Sequence, residues 1–232
     1  MLLHVPRLLS PEEVCAMHAR LTAVTWGDGR ITAGHQSVRV KHNLQLPESD
    51  PVARELSYIV RAALGRSSLF IAAALPLRIF PPLFNCYRSG DSFGDHVDNA
   101  LRHDRPATGA DEAGRPLRTD LSATLFVSSP EDYAGGELSI EDNFGRRRVK
   151  FAAGDMVLYP ASSVHRVEPV TRGRRLASFF WIQSLVRDAG QRQTLFDLDT
   201  AIQQLERDHA GHPALVSLVG IYHNLLRRWV ET

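Results

Sequence analysis

The chain has 232 residues, of which 44% are hydrophobic and 23% charged, a composition typical of a globular protein with a sizeable core. Its 27 Lys and Arg residues nearly balance its 26 Asp and Glu residues, which argues against a dedicated binder of nucleic acid or of membrane surfaces. With two cysteines, Cys15 and Cys86, the sequence predicts neither a disulfide scaffold nor a cysteine-rich zinc module, and it favours a reducing cytoplasm.

The N-terminal stretch, residues 1–9, is apolar but does not have the pattern of a signal peptide. Pro6 and Arg7 interrupt it before an apolar core of sufficient length is reached. No window of the sequence contains the roughly 18 apolar residues that a membrane-spanning helix needs. We therefore expect no contact with a membrane.

Residues 1–75 are predicted to be a lead-in of helices and one strand that packs on the core. Ser10 and Glu13 form a capping box, and Asp50 is followed by proline, so each pattern marks the start of a helix. Three elements are predicted in this segment, and they are a helix from Pro11 to about Val24, a strand at residues 38–42 and a helix from Pro51 that ends at Gly65.

Residues 76–185 have the pattern of a β domain. Short runs rich in β-forming residues are separated by turn residues, which is typical of an antiparallel sandwich or barrel. The predicted strands are residues 84–88, 121–127, 137–141, 149–151, 156–159, 164–167 and 176–182. Residues 142–145 are predicted to form a tight turn, and residues 100–118 a long loop.

Residues 186–232 return to a helical pattern. Phe196, Leu198, Ile202 and Leu205 form one apolar stripe at helical spacing, and a second stripe runs from Leu215 to Trp229. We expect this extension to pack on the sheet or on another subunit, which would make a homo-oligomer through the C-terminal helices.

Ten histidines are present, and His96-Val97-Asp98 offers a first pair of metal ligands. In a strand, residues two positions apart point to the same face, so both side chains would converge on one ion. Ten histidines among 26 acidic residues should produce about one such match by chance, so the pair needs a third ligand. His165, on the predicted strand at residues 164–167, offers one. The other histidines have no such partner pattern.

Two histidines and a carboxylate leave the identity of the metal open. They form the facial triad that holds Fe(II) with open positions for a co-substrate and oxygen. Zinc accepts the same ligands.

Arg175 favours a site that also binds an anion. It leads into an apolar strand, and its planar guanidinium suits a carboxylate held by two hydrogen bonds. Arg172 and Arg174 are expected to lie at the surface, although strand register does not follow from sequence. Tyr87 precedes His96 and could donate a second hydrogen bond to the same anion, or it could be a core tyrosine.

The ordered motifs resemble the prolyl-4-hydroxylase-like branch of the Fe(II)/2-oxoglutarate-dependent dioxygenases. The residues that carry this likeness are Tyr87, Gly90, His96, Asp98, Gly135 to Leu138, Gly154, Asp155, His165 and Arg175. Three further stretches, residues 118–126, 179–184 and 221–227, are similar to the bacterial PKHD-type hydroxylases. The likeness covers nearly the whole chain.

The resemblance implies an α+β protein with a double-stranded β-helix (jelly roll) core, N-terminal helices and a C-terminal helical extension. It implies Fe(II) on His96, Asp98 and His165, and 2-oxoglutarate bound by Arg175 with help from Tyr87. In such enzymes O2 and 2-oxoglutarate are consumed, succinate and CO2 are released and a substrate C–H bond is hydroxylated. Ascorbate is a common auxiliary reductant, and the family is linked with bacterial iron uptake.

The sequence departs from the family pattern at two places, and two other functions compete with the oxygenase. Ala177 stands where many members of the superfamily have serine, and residues 100–118 are long for the family. A non-catalytic iron- or 2-oxoglutarate-binding sensor and a zinc-dependent hydrolase are the competing functions. The substrate, a small molecule or a peptidyl side chain, is left unidentified.

Overall fold

The computed structural model describes residues 1–32, 37–104, 114–142 and 145–231. Within these ranges the chain forms five α-helices, which are α1 (Pro11–Ala23), α2 (Pro51–Arg66), α3 (Ser68–Ala74), α4 (Ala189–Asp208) and α5 (Ala214–Trp229). The same ranges contain the strands β1 (Leu3–Val5), β2 (Gly27–Asp28), β3 (Lys41–His42), β4 (Leu44–Gln45), β5 (Pro76–Ile79), β6 (Leu83–Arg88), β7 (Ser92–His96), β8 (Leu101–Asp104), β9 (Arg115–Arg118), β10 (Leu121–Phe126), β11 (Tyr133–Gly135), β12 (Leu138–Asp142), β13 (Gly145–Val149), β14 (Met156–Pro160), β15 (His165–Val167) and β16 (Val170–Ser184).

The strands form two antiparallel sheets with a pocket between them, which confirms the predicted α+β class and its jelly-roll core. The major sheet has the order β1-β14-β10-β16-β6-β4-β2, and β5 and β11 also pair with β16. The minor sheet has the order β13-β12-β15-β7-β3. A separate hairpin, β8–β9, lies beside the pocket and contributes Arg102 to its wall.

Alternation along β16 separates the helical side of the major sheet from the pocket side. Leu176, Phe180 and Ile182 are buried in the main core, which also contains apolar residues of α1, α2 and α3. Because neighbouring residues in a strand point to opposite faces, Arg175 and Phe179 face the pocket instead. One strand therefore stabilises the fold with one face and supplies the pocket with the other.

Helix starts agree with the sequence predictions better than helix ends do. Ser10 caps α1 in a complete capping box with Glu13, and the Asp50 side chain accepts a hydrogen bond from the backbone N–H of Val52 at the start of α2. The prediction that Gly65 ends the second helix is wrong. α2 continues through Arg66, and Ser67 then caps a further helix, α3, that was not predicted.

Three predictions for the strands need correction. Residues 38–42 do not form one strand, because Ser37–Arg39 is a short 3-10 helix and only Lys41–His42 pairs, with β7. The strand predicted at residues 149–151 lies earlier, at Gly145–Val149, where it pairs with β12. Residues 100–118 are not loop throughout, since both ends pair as β8 and β9. The middle of that stretch, and residues 143–144 of the predicted turn, lie outside the described residues.

The first C-terminal helix, α4, packs on α3, on α5 and on the segment that follows β16. Leu195 of α4 is fully buried beside Leu75 and Val186. The buried Arg192 side chain donates a hydrogen bond of 2.7 Å from Nη1 to the carbonyl oxygen of Val186. α5 is less covered, since Val216 is 81% exposed. In the described parts of the chain, no helix combines the length and the apolar character needed to cross a membrane.

Replacing Leu195 with alanine should destabilise the protein by about 2–4 kcal/mol, because a buried leucine leaves a cavity on truncation. Urea unfolding followed by circular dichroism measures the change in the free energy of unfolding. Val216→Ala is the matched control, and we expect a change within about 0.5 kcal/mol for this exposed position. Equal losses in the two variants would contradict the packing of α4 described above.

Candidate metal centre

Two histidines meet where β7 and β15 pair in the minor sheet. His96 is the last residue of β7 and His165 the first of β15, and the two are directly opposite in the antiparallel register. Their ring centroids lie 4.2 Å apart. The predicted pair of histidine ligands is thus brought together by cross-strand pairing.

Asp98 completes the cluster from a position just beyond the strand. The expectation that His96 and Asp98 share a strand face is wrong, because β7 ends at His96. Asp98 is held instead by Ser122 of β10, whose hydroxyl donates a hydrogen bond of 2.6 Å to Oδ2. That same oxygen lies 3.7 Å from Nε2 of His165. The carboxylate is therefore oriented by the opposite sheet.

Hydrogen bonds orient both imidazole rings for metal binding. Nδ1 of His96 lies 2.8 Å from the carbonyl oxygen of Gly94, and Nδ1 of His165 lies 3.0 Å from that of Ser163. A carbonyl oxygen only accepts, so Nδ1 of each ring carries the proton and Nε2 keeps its lone pair. One ligand atom from each of His96, Asp98 and His165 lies within 4.8 Å of the others, so the three could hold one ion.

The environment of His96 keeps its ring neutral. Burial, followed by repulsion from His165, lowers the pKa of His96 to about 4. Phe93 stacks on the ring with centroids 3.6 Å apart and covers it from solvent. A neutral imidazole is the form that binds a metal, so no proton has to be displaced at neutral pH.

Arg175 lies in the same pocket as the three candidate ligands. It is directly opposite Tyr87 across β16 and β6, and its side chain is 1% exposed. The guanidinium carbon is 5.4 Å from the ring centroids of both Tyr87 and Phe126. Its Nε and Nη2 atoms are buried with no hydrogen-bond partner among the described residues. Arg172 and Arg174, in contrast, are exposed.

A buried cation with unsatisfied donors is unfavourable unless an anion reaches it. The arrangement around Arg175 is therefore suited to a ligand carboxylate. Burial also raises the pKa of Tyr87 to about 12, so its hydroxyl stays protonated and can donate to the same anion.

Several pocket residues were not predicted from sequence. Ser122 and Thr124 line the pocket from β10, and their alternation with Ala123 and Leu125 is a signal that could have revealed them. Lys41 and Arg102 line it from β3 and from the hairpin, and no local pattern marks them. Of the remaining histidines, His35 lies outside the described residues.

Two family models match the chain in sequence. Residues 82–183 match the 2OG-Fe(II) oxygenase superfamily, and residues 189–231 match the PKHD-type hydroxylase C-terminal domain. A PKHD-type hydroxylase of Xanthomonas campestris pv. campestris (strain B100) is 58% identical over 231 residues, with all of both chains covered. Another, of Stutzerimonas stutzeri (strain A1501), is 56% identical over the same length.

Solved structures of prolyl hydroxylases are similar in fold. A prolyl-4-hydroxylase of Pseudomonas putida has a TM-score of 0.51 at 22% identity, covering 79% of this chain and 92% of that one. A prolyl hydroxylase of Trichoplax adhaerens, in complex with a peptide fragment of hypoxia inducible factor, has a TM-score of 0.53 at 12% identity, covering 84% and 86%. At these identities the likeness concerns the fold alone.

In the metal-free protein, we expect His96 to titrate near pH 4, well below the ordinary value of 6.5. The unfolded chain takes up this proton first as the pH falls, so the free energy of unfolding should decrease between about pH 6.5 and pH 4. NMR titration of the histidine side chains measures the pKa, and His96→Gln identifies the signal. A midpoint near 6.5 for that signal would contradict the environment described for His96.

Proposed function

Because this chain belongs to the PKHD-type hydroxylases, a family of 2OG-Fe(II) oxygenases, we propose that His96, Asp98 and His165 hold its Fe(II) and that Arg175 binds 2-oxoglutarate. Family membership makes the protein an Fe(II)- and 2-oxoglutarate-dependent dioxygenase. The observation that carries the residue assignment is the buried Arg175 guanidinium, which shares one pocket with the three candidate ligands.

The donor set fits Fe(II). Two imidazole Nε2 atoms and one carboxylate are the ligands of the facial triad, which leaves further coordination positions for a co-substrate. The backbone carbonyls behind each Nδ1, and Ser122 behind Asp98, fix the direction of the donor atoms before an ion arrives. A zinc-dependent hydrolase would need no buried arginine here, so Arg175 supports the oxygenase assignment.

When bound, Fe(II) and 2-oxoglutarate supply the oxidation in which O2 is consumed, succinate and CO2 are released and a substrate C–H bond becomes C–OH. The protein's own residues position the reactants. Arg175 and Tyr87 hold the distal carboxylate of 2-oxoglutarate, and the rings of Tyr87 and Phe126 keep water from the guanidinium. Exclusion of water strengthens this charge pair and fixes the co-substrate in one orientation.

The finer features of the function extend this proposal. We infer a substrate that is a small molecule or a peptidyl side chain, a connection with bacterial iron uptake, and ascorbate as an auxiliary reductant, all from the family resemblance. The near-neutral charge of the chain supports a substrate other than nucleic acid. Val216 and Val219, exposed three residues apart on one side of α5, support a homo-oligomer through the C-terminal helices. The division of the chain at residues 75 and 185 stays a prediction.

Asp98→Ala should abolish the visible charge-transfer band that Fe(II) and 2-oxoglutarate produce together under anaerobic conditions, and with it succinate release. Loss of a ligand should weaken metal binding more than the roughly 10–100-fold that loss of a supporting residue costs. Asp95→Ala is the matched control, since Asp95 lies three residues earlier, on β7, but is exposed and forms a surface ion pair with Arg146. An unchanged band in Asp98→Ala would exclude this ligand set.

Arg175→Met should raise the dissociation constant for 2-oxoglutarate at least about 30-fold, because breaking a buried charge pair costs about 2–5 kcal/mol. Anaerobic titration of the visible band measures this constant, and Fe(II) binding should be unaffected. Arg174→Met, at the exposed neighbouring position, should bind 2-oxoglutarate as the unaltered protein does. Equal affinities in the two variants would show that another cation binds the co-substrate.

A further inference from the structure

Asn85 places a buried amide in the wall of the pocket. It lies on β6, it lines the pocket, and its residue is 7% exposed. Its Oδ1 atom is buried and has no hydrogen-bond partner among the described residues. A buried amide that is not fully satisfied is unfavourable, so this position favours a polar ligand beside it.

Strand register places Asn85 next to the pair formed by Arg175 and Tyr87. Tyr87 is directly opposite Arg175 across β6 and β16, and Asn85 is directly opposite Ala177, two residues farther along β16. Residues two apart in a strand share a face, so Asn85 and Tyr87 line the pocket together. At about 3.3 Å per residue, they lie about 7 Å apart along β6. Ala177 has no polar side-chain atom, so Asn85 is the polar member of its pair.

The metal ligands lie farther along the same direction. Ser122, whose hydroxyl holds Asp98, is directly opposite Trp181 across β10 and β16. Trp181 is six residues beyond Arg175, whereas the level of Asn85 is two residues beyond it. Asn85 therefore lies between the buried guanidinium and the candidate metal centre.

The spacing of Tyr87 and Asn85 matches the two ends of 2-oxoglutarate. A five-carbon diacid is about 7 Å long, roughly the length of two extended residues. When Arg175 and Tyr87 hold the distal carboxylate, the carboxylate at the oxo-acid end reaches the level of Asn85. The oxygens of the dianion only accept hydrogen bonds, and an asparagine amide supplies two N–H donors.

The amide of Asn85 can turn these donors towards such a ligand. A half turn about the Cβ–Cγ bond exchanges the places of Oδ1 and Nδ2. No described residue donates to Oδ1, so the turn breaks no hydrogen bond at that atom. The side chain can therefore present its NH2 group to a carboxylate without losing a contact of its oxygen.

The open end of the pocket lies beside the metal ligands and not beside Asn85. Val97, between two of the ligands in sequence, lines the pocket and is 47% exposed. Asn85 and Arg175 are 7% and 1% exposed. A substrate that enters from solvent reaches the metal ligands first, so the amide is placed for the co-substrate.

We propose that Asn85 is a co-substrate-binding residue, whose amide donates a hydrogen bond to the carboxylate of 2-oxoglutarate at the oxo-acid end. The assignment rests on the proposed function of the same pocket. Arg175 and Tyr87 then hold one end of the molecule and Asn85 the other, which fixes the oxo acid against the metal ligands. A neutral donor suits this position, because a further cation would repel the metal ion.

Asn85→Leu keeps the size of the side chain and removes its polar atoms. It should raise the dissociation constant for 2-oxoglutarate at least about tenfold, the effect of one hydrogen bond to a charged group. Anaerobic titration of the visible band measures this constant, and Fe(II) binding without 2-oxoglutarate should be unchanged. Thermal unfolding checks the fold, and Asn85→Ala takes its place where the leucine variant does not fold.

Ser178→Ala is the matched control. Ser178 is also buried, and its hydroxyl has no partner among the described residues. It is directly opposite Phe84, a residue of the main core, and does not line the pocket. Its replacement should leave the affinity for 2-oxoglutarate unchanged.

A double-mutant cycle with Arg175→Met assigns the amide to one end of the co-substrate. If Asn85 and Arg175 hold different carboxylates, Asn85→Leu should weaken binding by the same factor, within about twofold, in the unaltered protein and in Arg175→Met. A factor that disappears in Arg175→Met would place Asn85 on the distal carboxylate and would overturn the assignment.

Two further results would contradict the proposal. The first is an unchanged affinity for 2-oxoglutarate in folded Asn85→Leu, and the second is an equal loss in Ser178→Ala, which would make the effect one of packing. Failure of the proposed function is distinguishable from both, because the unaltered protein itself would then give no visible band.

Discussion

The register of β16 is the constraint on which the pocket depends. This strand pairs with β10 on one side and β6 on the other, so it cannot shift without breaking both ladders. A slip by one residue would move Arg175 into the apolar core beneath the helices and turn Leu176 towards the pocket. The buried residues Phe180 and Ile182 oppose that slip. Burial of apolar side chains on one face thereby fixes the chemistry of the other.

The three candidate metal ligands are positioned by different sheets. His96 and His165 come from paired strands of the minor sheet, and their rings are oriented by carbonyls two residues away in the sequence. Asp98 follows the strand and depends on Ser122 of the major sheet. The distance between the sheets therefore decides the geometry of the triad. Phe93 and Tyr159 act on the site directly, since Phe93 stacks on the ring of His96 and Tyr159 packs edge-on against that of His165.

Features that depend on adjacent residues could be predicted from sequence, whereas features that depend on contacts between distant residues could not. The starts of α1 and α2 follow from Ser10 and Asp50, since capping depends on a few adjacent residues. The burial of Lys41 could not be predicted, because only Lys41–His42 of the strand expected at residues 38–42 is formed. Its burial comes from β7 and β16, which are distant in sequence. The strand pairs that position His96 and Arg175 also join residues distant in sequence. Both residues were nevertheless predicted as site residues, because they belong to an ordered series of motifs.

The C-terminal end of the chain closes back on the pocket hairpin. The backbone N–H of Glu231 donates to the carbonyl oxygen of Leu185, and its carboxylate lies 3.3 Å from Arg118, the last residue of β9. Arg118 also binds Asp120, which accepts a hydrogen bond from the backbone N–H of Ser184. During synthesis on a ribosome, the two contacts of Glu231 form only after that residue has emerged, whereas the contacts of Asp120 need no residue beyond Ser184. The link between the C-terminal segment and β9 is therefore the last of these contacts to form, after the strands of both sheets have been translated.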